Sequence, residues 1–387
     1  MMLTTKEQIV PKCFRVQVIC SQLVLMWPIN VANIFLKLLV WMYFGIIVVS
    51  LALAMVGLLL KVLSSKDLLD RSEAIDILTL VTSALYKLLF FSVKHEKFRW
   101  VVMKCSKFEK LLPDGWNSMT SKLSILHSMS AFAIMSFWSL CPILNWLLGV
   151  ISWESLSLPI NSLAPKFDGF MFGLIYLWGC ISLLSSAQIY MAADIFCFSS
   201  IHMVNGAMET LKLRLEDMRK ISAKDDKDGK EPRHEFLKSW INDHIEIMDY
   251  IHQVDLMMRS MIVADVLHAI ISLSFAMLQS SESQNFLDWV KGSLFIIVCF
   301  VHQYLNSHFG QKLIDQQEAI RKSVSEIPWD EGSVPLMKTV LIIANGTLKP
   351  VRLSAWRMYF LQYATFVEFV KTMVSWFMVL RQLNDEK

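Results

Sequence analysis

The sequence predicts an all-α membrane protein that crosses the bilayer seven times. Three observations predict this fold: 55% of the 387 residues are hydrophobic and only 18% are charged, seven separate segments are apolar enough to span a bilayer, and Lys and Arg are concentrated in alternate connecting segments. Soluble chains are typically ~45–50% apolar and ~25% charged. The mean hydropathy of +0.46 is therefore that of a chain whose solvent is largely lipid.

Seven windows of about 18 or more mainly apolar residues define the predicted spans. They cover residues 34–63, 74–93, 125–151, 170–201, 259–278, 286–308 and 356–383. Charged residues interrupt two of them, Lys87 in the second and Glu368 with Lys371 in the seventh. Because Lys87 lies near the end of its span, we expect its ammonium group to reach the membrane interface.

The orientation follows from the positive charges in the connecting segments. Residues 1–33, 94–124, 203–257 and 310–355 contain 25 Lys and Arg residues, whereas the four segments on the other side contain 4. The side with more positive charge usually stays in the cytoplasm. We therefore predict a cytoplasmic N-terminus and an extracellular C-terminus.

Three segments are predicted to lie on the cytoplasmic side. Residues 1–33 form the N-terminal segment, and residues 204–258 and 310–355 are predicted to be helical anchor regions that continue below the membrane. Apolar residues recur at helical spacing in 208–218, and the Lys-, Asp- and Gly-rich residues 224–232 have the composition of a loop.

The sequence favours neither an enzyme nor a nucleic-acid-binding protein. It contains no P-loop, dinucleotide-binding, zinc-protease or serine-hydrolase motif, so neither catalysis nor a cofactor is expected. The net charge of +3 is dispersed and forms no basic stripe. The nine His are scattered along the chain and the seven Cys include no C-x-x-C pair, so no metal site is expected.

Ionisable residues inside a span are candidates for function. Asp288 with Lys291, and Glu368 with Lys371, are spaced at i,i+3 and can pair on one helix face. We expect the deeper pair, in the seventh span, either to face a pore or a second subunit or to be structural. The other candidates, Asp194 and Asp265, are expected to be structural.

The third predicted span has an unusual outer half, with Trp138, Cys141, Pro142, Asn145 and Trp146 close together. Two rings, one amide and a kinking proline are typical of an apolar cavity that carries few polar groups. In lipid, however, aromatic residues are more often packing or interface residues than ligand contacts.

Several short motifs resemble those of insect odorant receptors. The closest is Ser375-Trp-Phe-Met-Val-Leu-Arg-Gln-Leu383, which is similar to the C-terminal end of the family's obligate co-receptor, although Arg381 replaces an apolar residue there. Further similarities lie along the chain: Leu25-Met-Trp-Pro28, His244-Ile-Glu-Ile-Met-Asp-Tyr250, Phe309-Gly-Gln311, Ile327-Pro-Trp329 and Lys349-Pro350.

The resemblance implies an odorant-gated, non-selective cation channel in the plasma membrane of olfactory sensory neurons. This chain would be the odorant-specific subunit of a heterotetramer with the co-receptor, because the segment between its fourth and fifth spans is only ~55 residues, whereas the co-receptor has a longer insertion there. A volatile organic ligand would bind in the outer half of the bundle, between the second, third, fourth and sixth spans. The residues expected to contact it are Trp138, Asn145, Trp146, Tyr176 and His302.

The resemblance also places Val379 and Leu383 at the positions of a hydrophobic pore gate. Their i,i+4 spacing puts both on one face of a helix, and an apolar constriction can close a pore by dewetting. A gustatory receptor or a G-protein-coupled receptor is the alternative. The first usually ends its last span with a Gln-Phe signature, and the second carries Asp-Arg-Tyr and Asn-Pro-x-x-Tyr motifs; all of these are missing from the sequence.

Overall fold

The chain is almost entirely helical. A computed structural model describes residues 14–24, 26, 33–152, 156, 158, 160, 169–218, 232–283, 285–327, 334–356 and 358–386. The helices are α1 (Arg15–Leu23), α2 (Ile34–Ser64), α3 (Leu68–Val93), α4 (His95–Phe108), α5 (Trp116–Leu147), α6 (Gly169–Met218), α7 (Pro232–Glu282), α8 (Phe286–Ser325), α9 (Val334–Thr347) and α10 (Tyr363–Asp385). A 3-10 turn follows α4 (Glu109–Leu111), and two short strands, β1 (Ser354–Ala355) and β2 (Tyr359–Phe360), precede α10.

Seven of the described helices are long and apolar enough to cross a membrane: α2, α3, α5, α6, α7, α8 and α10. This confirms the predicted fold class and number of spans. The helices α6 and α7 contain 50 and 51 residues, about 75 Å at 1.5 Å per residue, whereas ~20 residues are enough to cross the hydrocarbon core. Both therefore extend well beyond the membrane, as the helical pattern after the fourth span indicated.

Two boundaries differ from the prediction. The helix before the fifth span and the span itself are one helix, α7, with no break at residue 259; Arg259 instead pairs with Asp255 one turn earlier at 2.5 Å. The last helix begins at Tyr363 rather than at residue 356. The strands β1 and β2, which precede it, pair as an antiparallel β-hairpin, and the backbone N–H of Ser354 donates a 2.7 Å hydrogen bond to Asp255.

The helix α2 shows how lipid acts as the solvent of this fold. The side chain of Asn33 accepts a hydrogen bond from the backbone N–H of Phe35 and so caps the first turn. Only a narrow stripe of α2 is buried, including Leu51, Ala54 and Leu58, while most of its other apolar side chains are exposed. Such a helix is stable only where the exposed face meets lipid or another protein.

Aromatic residues join the helices at the end of the bundle where α3 is followed by α4. The rings of Phe91 and Phe98 stack at 3.7 Å between centroids, and Phe196 meets Phe98 edge-on at 5.0 Å. Below this cluster, Trp240 of α7 donates a 2.9 Å hydrogen bond to the carbonyl of Leu211 in α6. The long extensions of α6 and α7 therefore pack on each other rather than project singly into water.

Gly310 of α8 allows the hairpin segment to approach the bundle. A Cβ at this position would lie 2.2 Å from the carbonyl oxygen of Leu361, far inside normal contact distance. The residue belongs to the Phe309-Gly-Gln311 motif, so the structure gives this motif a packing role.

Gly310→Ala should lower the thermal unfolding midpoint of the purified protein, because backbone must move to admit the methyl group and overpacking typically costs about 1–3 kcal/mol. Gly45→Ala in α2 is the matched control, since a Cβ there would meet nothing within 4 Å and alanine favours the helix. The midpoint of the control should be unchanged or slightly raised. Equal midpoints for the two variants would contradict the close approach.

Candidate ligand site and buried charge cluster

Two of the predicted ligand residues come together between α5 and α6. Trp138 and Tyr176 are both buried, and they lie in the half of the bundle where α2 is followed by α3, termed here the α2–α3 end. The Tyr176 hydroxyl donates a 2.8 Å hydrogen bond to the carbonyl of Ser139 in the next helix. Its ring is therefore fixed beside α5, at the residue that follows Trp138.

Asn145 supplies a polar edge to this region. Its side-chain N–H group lies 3.4 Å from both carboxylate oxygens of Asp288 in α8, and the Cys141 thiol lies 3.5 Å from one of them. The Asn145 side-chain oxygen is buried and accepts no hydrogen bond from any residue that the structure describes. A buried acceptor without a donor is unfavourable, and an O–H or N–H group placed beside this oxygen would remove that cost.

Lys291 links the polar edge to the aromatic face. Its ammonium lies 3.5 Å from Asp288, which confirms the predicted i,i+3 pair, and 3.5 Å from Glu73 in α3. The same ammonium lies 4.8 Å from the centroid of the Trp138 ring, within the range of a cation–π contact. The helices α3, α5 and α8 thus meet around one tryptophan. We call Trp138, Asn145, Tyr176, Asp288 and Lys291 the aromatic site.

The structure does not bring the other two predicted ligand residues into this site. Trp146 is 38% exposed and lies close to the end of α5, on the outside of the bundle. His302 is buried, but its contacts are with His127 and Asn306, deeper in the bundle. The sequence alone does not show which of these residues line the site, because the buried and the lipid-facing sides of a membrane helix are both largely apolar.

Lys87 is completely buried, so the expectation that it reaches the interface is wrong. Its ammonium lies 2.5 Å from a carboxylate oxygen of Asp194 in α6 and 2.5 Å from one of Asp265 in α7. The centroid of the Tyr190 ring is 3.3 Å away on another side. Because a lone charge at this depth would be very costly, the two carboxylates are what allow the lysine to lie here.

Histidines extend this cluster of charges towards α5 and α8. The Nε2 atom of His302 lies 3.4 Å from the second carboxylate oxygen of Asp194, and its Nδ1 atom lies 3.2 Å from Nε2 of His127. A cavity of about 20 Å³ adjoins Asp194, Asp265 and Asn306. This volume has room for about one water and is far smaller than the ~300 Å³ of a small-molecule pocket. The cavity therefore does not hold an odorant.

The proposed gate residues lie on the outer surface of the single chain. Val379 and Leu383 of α10 are 48% and 49% exposed, and the buried residues of this helix are Phe369 and Met373. The predicted pair of Glu368 and Lys371 forms at 2.8 Å and is also exposed. Most of α10 therefore presents its side chains to whatever surrounds this chain in the membrane.

These features define a class of protein: a seven-span helical membrane protein with an aromatic site between its helices and an apolar last span on its surface. The family model described as 7tm Odorant receptor matches residues 68–374, most of the chain. The chain therefore belongs to the 7tm odorant receptor family, a family of receptors and channels rather than enzymes.

Solved structures show the same fold. The insect olfactory receptor OR5 from Machilis hrabei in complex with eugenol is 13% identical to this chain, with a TM-score of 0.76 over 96% of this chain and 98% of that one. A second structure of that receptor is 14% identical, with the same TM-score and coverage. At such identities the likeness concerns the fold alone. Among curated protein sequences, none matches this chain significantly.

Lys87→Met should strongly reduce the amount of folded receptor, because it leaves two buried carboxylates unpaired and breaking a buried pair costs about 3–5 kcal/mol. Lys371→Met is the matched control, because its ion pair is exposed and exposed pairs contribute little. The quantity to measure is the monodisperse receptor recovered in detergent together with its unfolding midpoint.

Lys87→Met combined with Asp194→Asn and Asp265→Asn should recover much of the lost folded receptor, since neutral groups replace all three charges. Equal yields and midpoints for Lys87→Met and Lys371→Met would contradict the importance of the buried ion pair.

Proposed function

We propose that this chain is an odorant-binding subunit that opens a non-selective cation pore together with co-receptor subunits in the plasma membrane of olfactory sensory neurons. Membership of the odorant receptor family supports the receptor role. The observation that carries the binding part of the proposal is the aromatic site, where buried Trp138 and Tyr176 lie close to a buried amide oxygen without a partner.

The chemistry of the aromatic site favours a small, mostly apolar ligand with one hydrogen-bond donor. Trp and Tyr offer large flat apolar faces, on which size and shape are distinguished by about 1–3 kcal/mol per methylene-scale change. The Asn145 oxygen can accept one hydrogen bond from a hydroxyl group. Alcohols and phenols are therefore the odorant classes that the site would bind best, and eugenol, which one of the similar solved receptors binds, has such a hydroxyl.

The surface of α10 supports the pore part of the proposal. At 3.6 residues per turn, Glu368, Thr372, Val379 and Leu383 fall on one stripe of the helix, and all four are exposed. A pair of apolar side chains such as Val379 and Leu383 can close a pore by dewetting. We propose that this stripe faces the central pore of a heterotetramer, where neighbouring subunits contribute equivalent helices.

Whole-cell recording from cells that express the chain with the co-receptor, the chain alone or the co-receptor alone tests the proposed function. A panel of volatiles should pair each alcohol or phenol, including eugenol, with a hydrocarbon of the same shape. We expect cation currents evoked by hydroxyl-bearing members, and only when the chain is present with the co-receptor. A panel of this kind that evokes the same currents from the co-receptor alone would contradict the proposal.

Substitutions at the aromatic site test whether the odorant binds there. Trp138→Ala should raise the half-effective concentration of every active odorant about tenfold, which corresponds to ~1.4 kcal/mol. Asn145→Leu should raise it selectively for hydroxyl-bearing odorants. Trp41→Ala is the control, because Trp41 is 63% exposed on the surface of α2. If the two tryptophan variants behaved alike at equal surface expression, the ligand would bind elsewhere.

Val379→Ser and Leu383→Ser should each raise the resting cation current without odorant, because a hydroxyl group wets an apolar constriction and lowers its barrier. The increase should be partial, since co-receptor subunits keep their own apolar residues. Val374→Ser is the matched control, because Val374 is also exposed on α10. Around the helix axis it lies about 140° from Val379 and about 180° from Leu383. Equal resting currents in all three variants would indicate that the stripe faces lipid.

A further inference from the structure

Three residues from three different spans place metal-ligating atoms close together inside the bundle. One ligand atom each from His127 of α5, Asp194 of α6 and His302 of α8 lies within 4.8 Å of the other two. Asp194 and His302 are buried and His127 is half-buried. The three are separated by 67 and 108 residues, as their numbers give, so spacing in the sequence could not reveal them.

His302 stands between the other two ligands. Its Nδ1 atom is 3.2 Å from Nε2 of His127, and the two rings stack at 4.8 Å between centroids. Its Nε2 atom is 3.4 Å from Asp194 and 2.9 Å from the side-chain nitrogen of Asn306. Ligand atoms around tetrahedral Zn²⁺ are about 3.3 Å apart, so these side chains need to move by about an ångström to coordinate one ion.

A second observation, the unpaired oxygen of Asp194, points to a cation as the ligand. The Asp194 oxygen that faces His302 is buried and accepts no hydrogen bond from any described residue, while Lys87 binds the other oxygen at 2.5 Å. Asp265 is also bound to Lys87, so the two carboxyl groups share one ammonium. Lys87 holds the carboxylate so that its free oxygen points towards the histidines.

We propose that His127, Asp194 and His302 form a binding site for a divalent transition-metal ion of the Zn²⁺ class. Two imidazoles and one carboxylate favour zinc and its neighbours over Ca²⁺ and Mg²⁺, which prefer oxygen ligands. Three protein ligands leave a fourth position for water.

The bound ion would crosslink α5, α6 and α8. All three helices also contribute to the aromatic site, with Trp138 and Asn145 from α5, Tyr176 from α6, and Asp288 and Lys291 from α8. Metal binding would thus stabilise one arrangement of the helices around that site. The binding itself requires neither odorant nor co-receptor, so it is independent of the proposed function.

The test uses the full-length purified receptor in detergent, with Co²⁺ as a spectroscopic probe and Zn²⁺ as its competitor. We expect one equivalent of Co²⁺ to give the visible absorption of a low-coordinate site, Zn²⁺ to displace it, and Zn²⁺ to raise the unfolding midpoint. His127→Ala and His302→Ala should each weaken binding tenfold or more, since the loss of even an outer-shell partner costs about 10–100-fold.

His252→Ala is the control for binding to surface histidines, because His252 is exposed on α7. His127→Ala leaves Lys87 and its two carboxylates in place, so its folded state can be checked by size-exclusion chromatography and unfolding without metal. Two results would overturn the proposal: a wild-type receptor that takes up no Co²⁺ or Zn²⁺, or one whose uptake is unchanged by His127→Ala and His302→Ala and reduced by His252→Ala.

Discussion

The buried ammonium of Lys87 constrains the whole bundle. A lysine enclosed among apolar helices is tolerable only with carboxylates at contact distance, and its two partners come from α6 and α7 while it belongs to α3 itself. These three helices must therefore meet at one point. Apolar packing does little to determine which helices become neighbours, because lipid chains are as apolar as leucine and there is no hydrophobic force between helices. The ion pair thus specifies which helices are neighbours, and van der Waals contacts fill the space around it.

The two regions proposed to function in ligand binding and gating lie on either side of this point. The aromatic site is nearer the α2–α3 end, and α10 packs on the outer side of α7. The helix α7 connects the ion pair to the last span: it carries Asp265, and nine residues further on Ser274 donates a hydrogen bond to the carbonyl of Met373 in α10. Leu273 packs with Phe369 and Met373 in the same contact. A displacement of α7 relative to α3 or α6 would therefore reach the last span directly.

Hydropathy was sufficient to predict the seven spans, and i,i+3 spacing was sufficient to predict the pairs of Asp288 with Lys291 and Glu368 with Lys371, because both depend on local sequence. Contacts between distant helices were not accessible. Asp194 and Asp265 follow Lys87 by more than a hundred residues, and a lone lysine near the end of a span is usually solvated at the interface. The hairpin before α10 was missed for another reason: its strands contain two residues each, too few to show an alternating pattern in the sequence. Trp138 and Trp146 are two turns apart on one helix, and only packing distinguishes the buried ring from the exposed one.

Whether this receptor conducts ions itself is the central question, and recording from purified components answers it most directly. The chain and the co-receptor, reconstituted together in a planar bilayer without cytosolic proteins or nucleotides, should show unitary cation currents when a hydroxyl-bearing volatile is added. The same bilayer should be silent when either subunit is left out. An odorant response that occurs only in cells and requires cytosolic G proteins, with no unitary current in the reconstituted bilayer, would contradict a channel and indicate a receptor that signals through other proteins.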